Sequence, residues 1–169
     1  MNSQKSIKMI KILTTGGTIE GIDSVDEDGI KTSNLTIEDL LSNANVDFDY
    51  SIESIFRKDS RAIDENDRAL LARKIKETKT TKILITHGTF TMEDTAKYIG
   101  KLNLGKTIVL VGSFILGTSK NTDAPFNLGF AISSLQFLKP DVYIAMNGQI
   151  FQWENVTKNL ETNKFEHNA

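Results

Sequence analysis

Four short apolar runs constrain this chain more than any other feature. They are Met9-Ile10-Lys11-Ile12-Leu13, Lys82-Ile83-Leu84-Ile85-Thr86, Thr107 to Val111, and Val142-Tyr143-Ile144-Ala145-Met146. Each is rich in β-branched or aromatic residues and too short for a buried helix, so each reads as a buried strand. The segments between them repeat apolar residues at helical spacing. Thr36 offers an N-cap for a helix to about Asn43, and Asp64 caps one to about Thr78. Thr91 caps a helix with Met92, Ala96, Ile99 and Leu102 on one face. Asp123 caps another that runs to Leu138, with Pro125 in its first turn. Val46, Phe48, Tyr50 and Ile52 alternate with polar residues and predict a strand with one solvated face, ended by a polar break over Phe56 to Arg61. Asn147-Gly148 predicts a tight hairpin returning through Gln149 to Gln152.

Strands alternating with helices predict an α/β fold: a doubly wound, mainly parallel sheet with helices on both faces and right-handed crossovers. The 169 residues suit one domain, with 153–169 as an extended tail. In such a sheet the loops leaving the carboxyl ends of the strands gather on one edge, where ligands bind. The loops at Thr15–Thr18, Asp59–Arg61, His87–Thr91 and Ser113–Thr122 are expected there. Two of them look alike. Thr14-Thr15-Gly16-Gly17-Thr18 and Thr86-His87-Gly88-Thr89-Phe90-Thr91 each crowd glycine and hydroxyl groups into a strand-ending turn, and the two are expected to face each other across one pocket.

Composition narrows the chemistry. Cysteine is absent, which removes thiolate nucleophiles and zinc–thiolate sites and is compatible with a reducing compartment, so a cytoplasmic location is expected. The two histidines, His87 and His167, give no metal spacing. The acidic stretch Asp23–Asp28 lacks the ligand order of a calcium loop. No metal and no cofactor are expected. A net charge of −2 without single-sign blocks argues against nucleic acid or a membrane as partner. No window approaches a membrane span, and the first ten residues lack a signal-peptide core. The helix from Phe126 to Leu138 is apolar almost all round, so it is expected to be buried on more than one side, in the core or in a homodimer. The polar stretch from Glu20 to Ser33 is expected to be a long loop of the kind that serves as a lid.

Neither glycine turn has the spacing of a nucleotide fingerprint. A threonine hydroxyl on such a turn is a candidate nucleophile if a base and an oxyanion hole accompany it. Thr15 and Thr18 could equally cap the turn. His87 reads either as an acid–base group or as a structural hydrogen-bonding ring.

Thr14 to Ile19 resembles the first signature of bacterial-type L-asparaginases. Thr86-His87-Gly88-Thr89 with Thr91 to Ala96 resembles the second. Lys58-Asp59-Ser60, Asn127-Leu128-Gly129 and Tyr143 to Gly148 resemble the same family, particularly its short single-domain members. The resemblance implies a flavodoxin-like fold and hydrolysis of a small carboxamide, L-asparagine or a related amide, through a threonine acyl-enzyme. It implies Thr18 as nucleophile, Thr89 as second catalytic threonine and Lys158 as the base beside it. Ser60 would bind the substrate carboxylate, and Gly17 and Gly88 would offer backbone N–H donors. The alternative is a homologue that binds an amino acid or small carboxylate without turnover.

Three positions depart from the family pattern. Phe90 stands where the family has an aspartate, which removes the partner for a substrate ammonium while an apolar neighbour lowers the lysine pKa. Arg61 follows Ser60, either as a carboxylate clamp or as a solvated charge. The loop from Glu20 to Asn34 contains no tyrosine, whereas the family lid supplies one. Full-length members also carry a C-terminal domain that completes a neighbour's site, so this pocket is expected to be more open or closed by another copy.

Overall fold

A computed structural model describes residues 9–22 and 33–168. The expected lid over 20–33 and its acidic stretch fall mostly outside the described residues. Five strands run parallel: β1 (Ile10–Gly16), β2 (Tyr50–Lys58), β3 (Lys82–Thr86), β4 (Thr107–Val111) and β5 (Asp141–Met146). A sixth, β6 (Gln149–Gln152), pairs antiparallel with β5. The sheet order is β2-β1-β3-β4-β5-β6. Ile83, Leu84 and Ile85 are all fully buried. Since successive strand residues point to opposite faces, both faces of the central sheet are covered, as a parallel sheet requires.

The helices α1 (Ile37–Asn43) and α2 (Glu65–Glu77) begin where the sequence places them. Thr36 and Asp64 each form a reciprocal capping box, with Asp39 and Asp67, so two orphan donors are satisfied at each start. The turn between β5 and β6 also follows from its residues. Asn147 and Gly148 have φ of 50° and 82°, the pair of positive angles that a two-residue hairpin demands.

Four expectations need correction. β2 starts at Tyr50 and runs through the supposed polar break to Lys58. It pairs only with β1, so its side chains are largely half-exposed and polar residues do not end it. Thr91 precedes α3 (Met92–Gly100) but makes no side-chain cap; its hydroxyl donates instead to the Ser60 carbonyl at 2.7 Å. Asp123 likewise does not cap α4 (Ala124–Phe137). Its carboxylate accepts from the Phe114 and Ile115 N–H groups and from the Asn127 and Asn147 amides, holding the Gly112–Thr122 loop. Within one copy of the chain, α4 is covered on one side. Leu128, Ala131, Ile132 and Leu135 are buried, whereas Phe126 and Phe137 are 61% and 84% exposed.

Residues 153–168 are not an extended tail. β7 (Thr157–Asn159) and β8 (Lys164–Glu166) form an antiparallel ribbon. Val156 and Phe165 are buried, and Phe165 packs 6.0 Å from Phe114 and 6.4 Å from Phe151, ring centre to ring centre. Two aromatic contacts and the buried valine anchor the ribbon to the core.

Candidate active site

In the order 2-1-3-4-5, the chain leaves β1 and β3 in opposite directions, and a crevice opens between their carboxyl ends. Both glycine turns lie at that point. The Thr15 hydroxyl donates to the Thr86 carbonyl at 2.7 Å, tying the end of β1 to the end of β3. Gly17, at φ 80°, lies so close to the second turn that a Cβ there would come within 2.6 Å of Gly88 Cα. Glycine is therefore required by contact as well as by conformation. The two turns do face each other, and they touch through Gly17 and Gly88.

Thr18 opens a single 3₁₀ turn, Thr18–Glu20. Its carbonyl accepts from the Gly117 N–H at 2.9 Å, so the loop after β4 passes over it. Among the described residues the Thr18 hydroxyl has no hydrogen-bond partner, and the residue is half-buried. The turn is braced by Glu20, whose Oε2 accepts from the Gly16 N–H at 2.8 Å. Burial is the main influence on Glu20 and raises its pKa, against the opposing effects of that N–H and of Arg57. The sequence places Glu20 at the start of a long polar loop. Only the single acidic group beside the Gly-Gly-Thr-Ile run could have signalled its role.

His87 is fully buried. Its Nδ1 lies 2.8 Å from the Gly88 carbonyl, and its Nε2 lies 2.9 Å from the Thr95 hydroxyl. A carbonyl only accepts, so Nδ1 carries the proton and Nε2 accepts from Thr95. Arg68 Nε in turn donates to Thr95 at 3.2 Å. Burial lowers the imidazole pKa from 6.5 to about 4; the Gly88 bond opposes the shift and the Arg68 charge adds to it. Of the two readings of His87, the structure supports the structural one. The ring is a neutral brace that fixes the Gly88 carbonyl and hence the peptide leading into Thr89.

Thr89 is buried, and Lys158 Nζ lies 3.0 Å from its Oγ1. The lysine arrives on β7, where its own backbone N–H donates to Glu93 Oε2 in the first turn of α3. Desolvation lowers the Lys158 pKa, and the positive charge of Arg61 lowers it further. Nζ stands 4.2 Å from the centre of the Phe90 ring and 5.5 Å from that of Phe114. Arg61 Cζ stands 4.5 Å from the same Phe90 ring. Arg61 also forks onto Asp59 with bonds of 3.0 and 2.8 Å, which holds the Asp59 carboxyl below its usual range. Ser60 is buried, and its Oγ accepts from the Phe90 N–H at 3.2 Å. Thr89, Phe90, Lys158, Ser60 and Arg61 thus form one continuous cluster. Thr18 follows Gly17, which lies against Gly88, the residue before Thr89.

Residues 9–167 match the family model described as "Asparaginase, N-terminal". The chain belongs to the asparaginase family. It is 32% identical over 167 residues to L-asparaginase 2 of Escherichia coli, a match covering 90% of this chain and 47% of that protein. The thermostable L-asparaginase of Thermococcus kodakarensis superposes with a TM-score of 0.80 at 28% identity, covering 94% of this chain and 51% of that one. The probable cytoplasmic L-asparaginase of Campylobacter jejuni gives 0.78 at 29% identity, covering 95% and 51%. The chain therefore spans about half the length of the curated relatives it matches. Among the described residues no helix is long and apolar enough to cross a membrane, and no group of side chains has the composition of a metal site.

Proposed function

We propose that this asparaginase-family domain is an amidohydrolase that converts a small carboxamide to its acid and ammonia. The observation that carries the reading is the 3.0 Å contact between Lys158 Nζ and the buried Thr89 hydroxyl, made by a lysine whose pKa is lowered by burial. An amine shifted toward its neutral form can take a proton from the threonine or from a water beside it. In this reading the Thr18 oxygen attacks the amide carbon and gives up its proton. The Gly16 and Gly17 N–H groups already donate to Glu20 and to the Lys58 carbonyl, which corrects the expectation for Gly17, so the tetrahedral oxyanion is met by other N–H groups of the two turns. Ammonia leaves with the transferred proton, and an ester to Thr18 remains. Water, deprotonated through Thr89 and Lys158, opens that ester and restores the Thr18 hydroxyl. A cytoplasmic location belongs to the same proposal, supported by the likeness to the probable cytoplasmic L-asparaginase of Campylobacter jejuni.

The test is ammonia release from a panel of primary amides that includes L-asparagine. Thr18→Ala should abolish it without unfolding the domain. Full activity in that variant, or no ammonia from any amide with the wild-type protein, would sink the reading. The second outcome would leave a protein that binds its ligand without turnover.

A further inference from the structure

Phe90 lies between two basic side chains. The ring is 51% exposed and has two cations against it: Arg61 Cζ at 4.5 Å and Lys158 Nζ at 4.2 Å from its centre. Every carboxylate described near them is turned to a partner in the protein. Both Asp59 oxygens hold Arg61, and one of them also accepts the Arg61 backbone N–H. Glu93 accepts the Lys158 N–H and pairs with Lys97 at 3.2 Å. Glu20 is buried and accepts the Gly16 N–H. Among the described residues, no carboxylate near Phe90 is left to meet a positively charged ligand group.

We propose that the site takes the ω-carboxamide of an organic acid with no free α-ammonium, a dicarboxylic monoamide rather than an amino-acid amide. This rests on the amidohydrolase reading above and adds the substrate class to it. A ligand ammonium beside Thr89 would be desolvated without a counter-charge, facing two cations across an apolar ring. The ring cannot compensate, because its attraction for cations is already engaged by Arg61 and Lys158. A ligand carboxylate is drawn to the same two cations. Ser60 supports it: its oxygen accepts the Phe90 N–H, which leaves its hydroxyl proton to be donated.

Succinate and L-aspartate share both carboxylates and differ only in the α-ammonium, so they isolate the point. Calorimetry on the wild-type domain should show succinate binding at least tenfold more tightly. Ammonia release should favour succinamate over L-asparagine by a similar factor in kcat/KM. Phe90→Asp should narrow or reverse both ratios. Phe90→Asn, polar but uncharged, should leave them near wild type, which separates charge from mere loss of the ring. Aspartate binding as tightly as succinate, no detectable binding of either at millimolar concentration, or ratios unmoved in Phe90→Asp would each overturn the proposal. Hydrolysis that favours asparagine would do the same while leaving the amidohydrolase reading intact. A retained succinate preference with no ammonia from any amide would do the reverse.

Discussion

His87 makes the stability of this domain depend on pH in a way that can be calculated. The ring is fully buried and its pKa is lowered from 6.5 to about 4. Above about pH 6.5 the ring is neutral in both folded and unfolded chains, and its contribution to stability is complete. Between about 6.5 and about 4 the unfolded chain binds a proton that the folded one refuses, so stability falls as pH falls. At about 1.4 kcal/mol per pKa unit, the loss over that window is about 3 kcal/mol. Two other sets of groups titrate nearby. Glu20 is raised, and what it contributes is lost as pH rises. Asp39, Glu53, Asp59 and Asp64 are lowered, and what they contribute is lost below their ordinary range. All of these are shared with a His87→Gln variant, so they cancel in the difference between the two proteins. Urea unfolding of both, at steps from about pH 7 to about pH 4, should show the wild type ahead at neutral pH and the gap closing by about 3 kcal/mol. Curves that stay parallel across that range would show that the ring titrates freely. The chain from Arg68 through Thr95 to the Gly88 carbonyl would then not brace Thr89.

The remaining predictions concern the contacts that build the site. Gly17→Ala places a methyl group 2.6 Å from Gly88 Cα at a φ of 80°, so strain and overpacking together should cost about 3 kcal/mol. A loss below about 1 kcal/mol in chemical denaturation would mean that the turns do not abut. Lys158→Met keeps the apolar stem against Phe90 but removes the amine. Ammonia release should fall about 10²- to 10⁴-fold with little change in stability, and a loss under tenfold in kcat/KM would remove Lys158 from the chemistry. Asp123→Ala strips the acceptor from two backbone N–H groups and two side-chain amides. Because the residue is half-exposed, water should recover part of that, leaving a loss of about 2 kcal/mol in urea unfolding. An unchanged midpoint would show the 112–122 loop to be held by something else.

The parts of this molecule that were legible in the sequence are those set by a single local cause. β-branched runs give the buried strands. Asp64 gives a helix cap, and Asn147-Gly148 gives a turn. The convergence of the glycine turns followed from alternation alone, since parallel strands must deliver their loops to one edge. What could not be read had two causes competing at one position. Asp123 before Ala-Pro has the pattern of an N-cap, but a loop with unpaired N–H groups lay within reach and took the carboxylate. Thr91 was drawn from its cap position in the same way by the Ser60 carbonyl. Edge strand β2 concealed its length because half-exposed residues carry no burial pattern. Glu20 was hidden by its neighbours: four further acids within the next eight residues make the stretch read as a polar loop, and only the folded turn shows one carboxylate folding back onto Gly16.

The position of Lys158 shows why residue spacing alone could not have found it. Lys158 and Thr89 are 69 residues apart in the chain, and no periodicity connects them. Their meeting depends on Glu93, which stands in the first turn of α3 and accepts the backbone N–H of Lys158 itself. The loop that ends in Thr89 and Phe90 leads directly into that helix. One carboxylate thus fixes β7 to the element that carries the second threonine, and the lysine stem then packs over Phe90 at 4.2 Å. The aromatic ring acts on this lysine in two ways. It removes water from the amine, which favours the neutral form that can accept a proton, and its π-face attracts the charged form, which limits the shift. Desolvation is the larger influence, and Arg61 adds to it across the same ring. An aspartate at position 90 would raise the lysine pKa by direct pairing. Phe90 therefore bears on two properties at once: the proton affinity of the amine beside Thr89, and the charge of any ligand that can lie next to it.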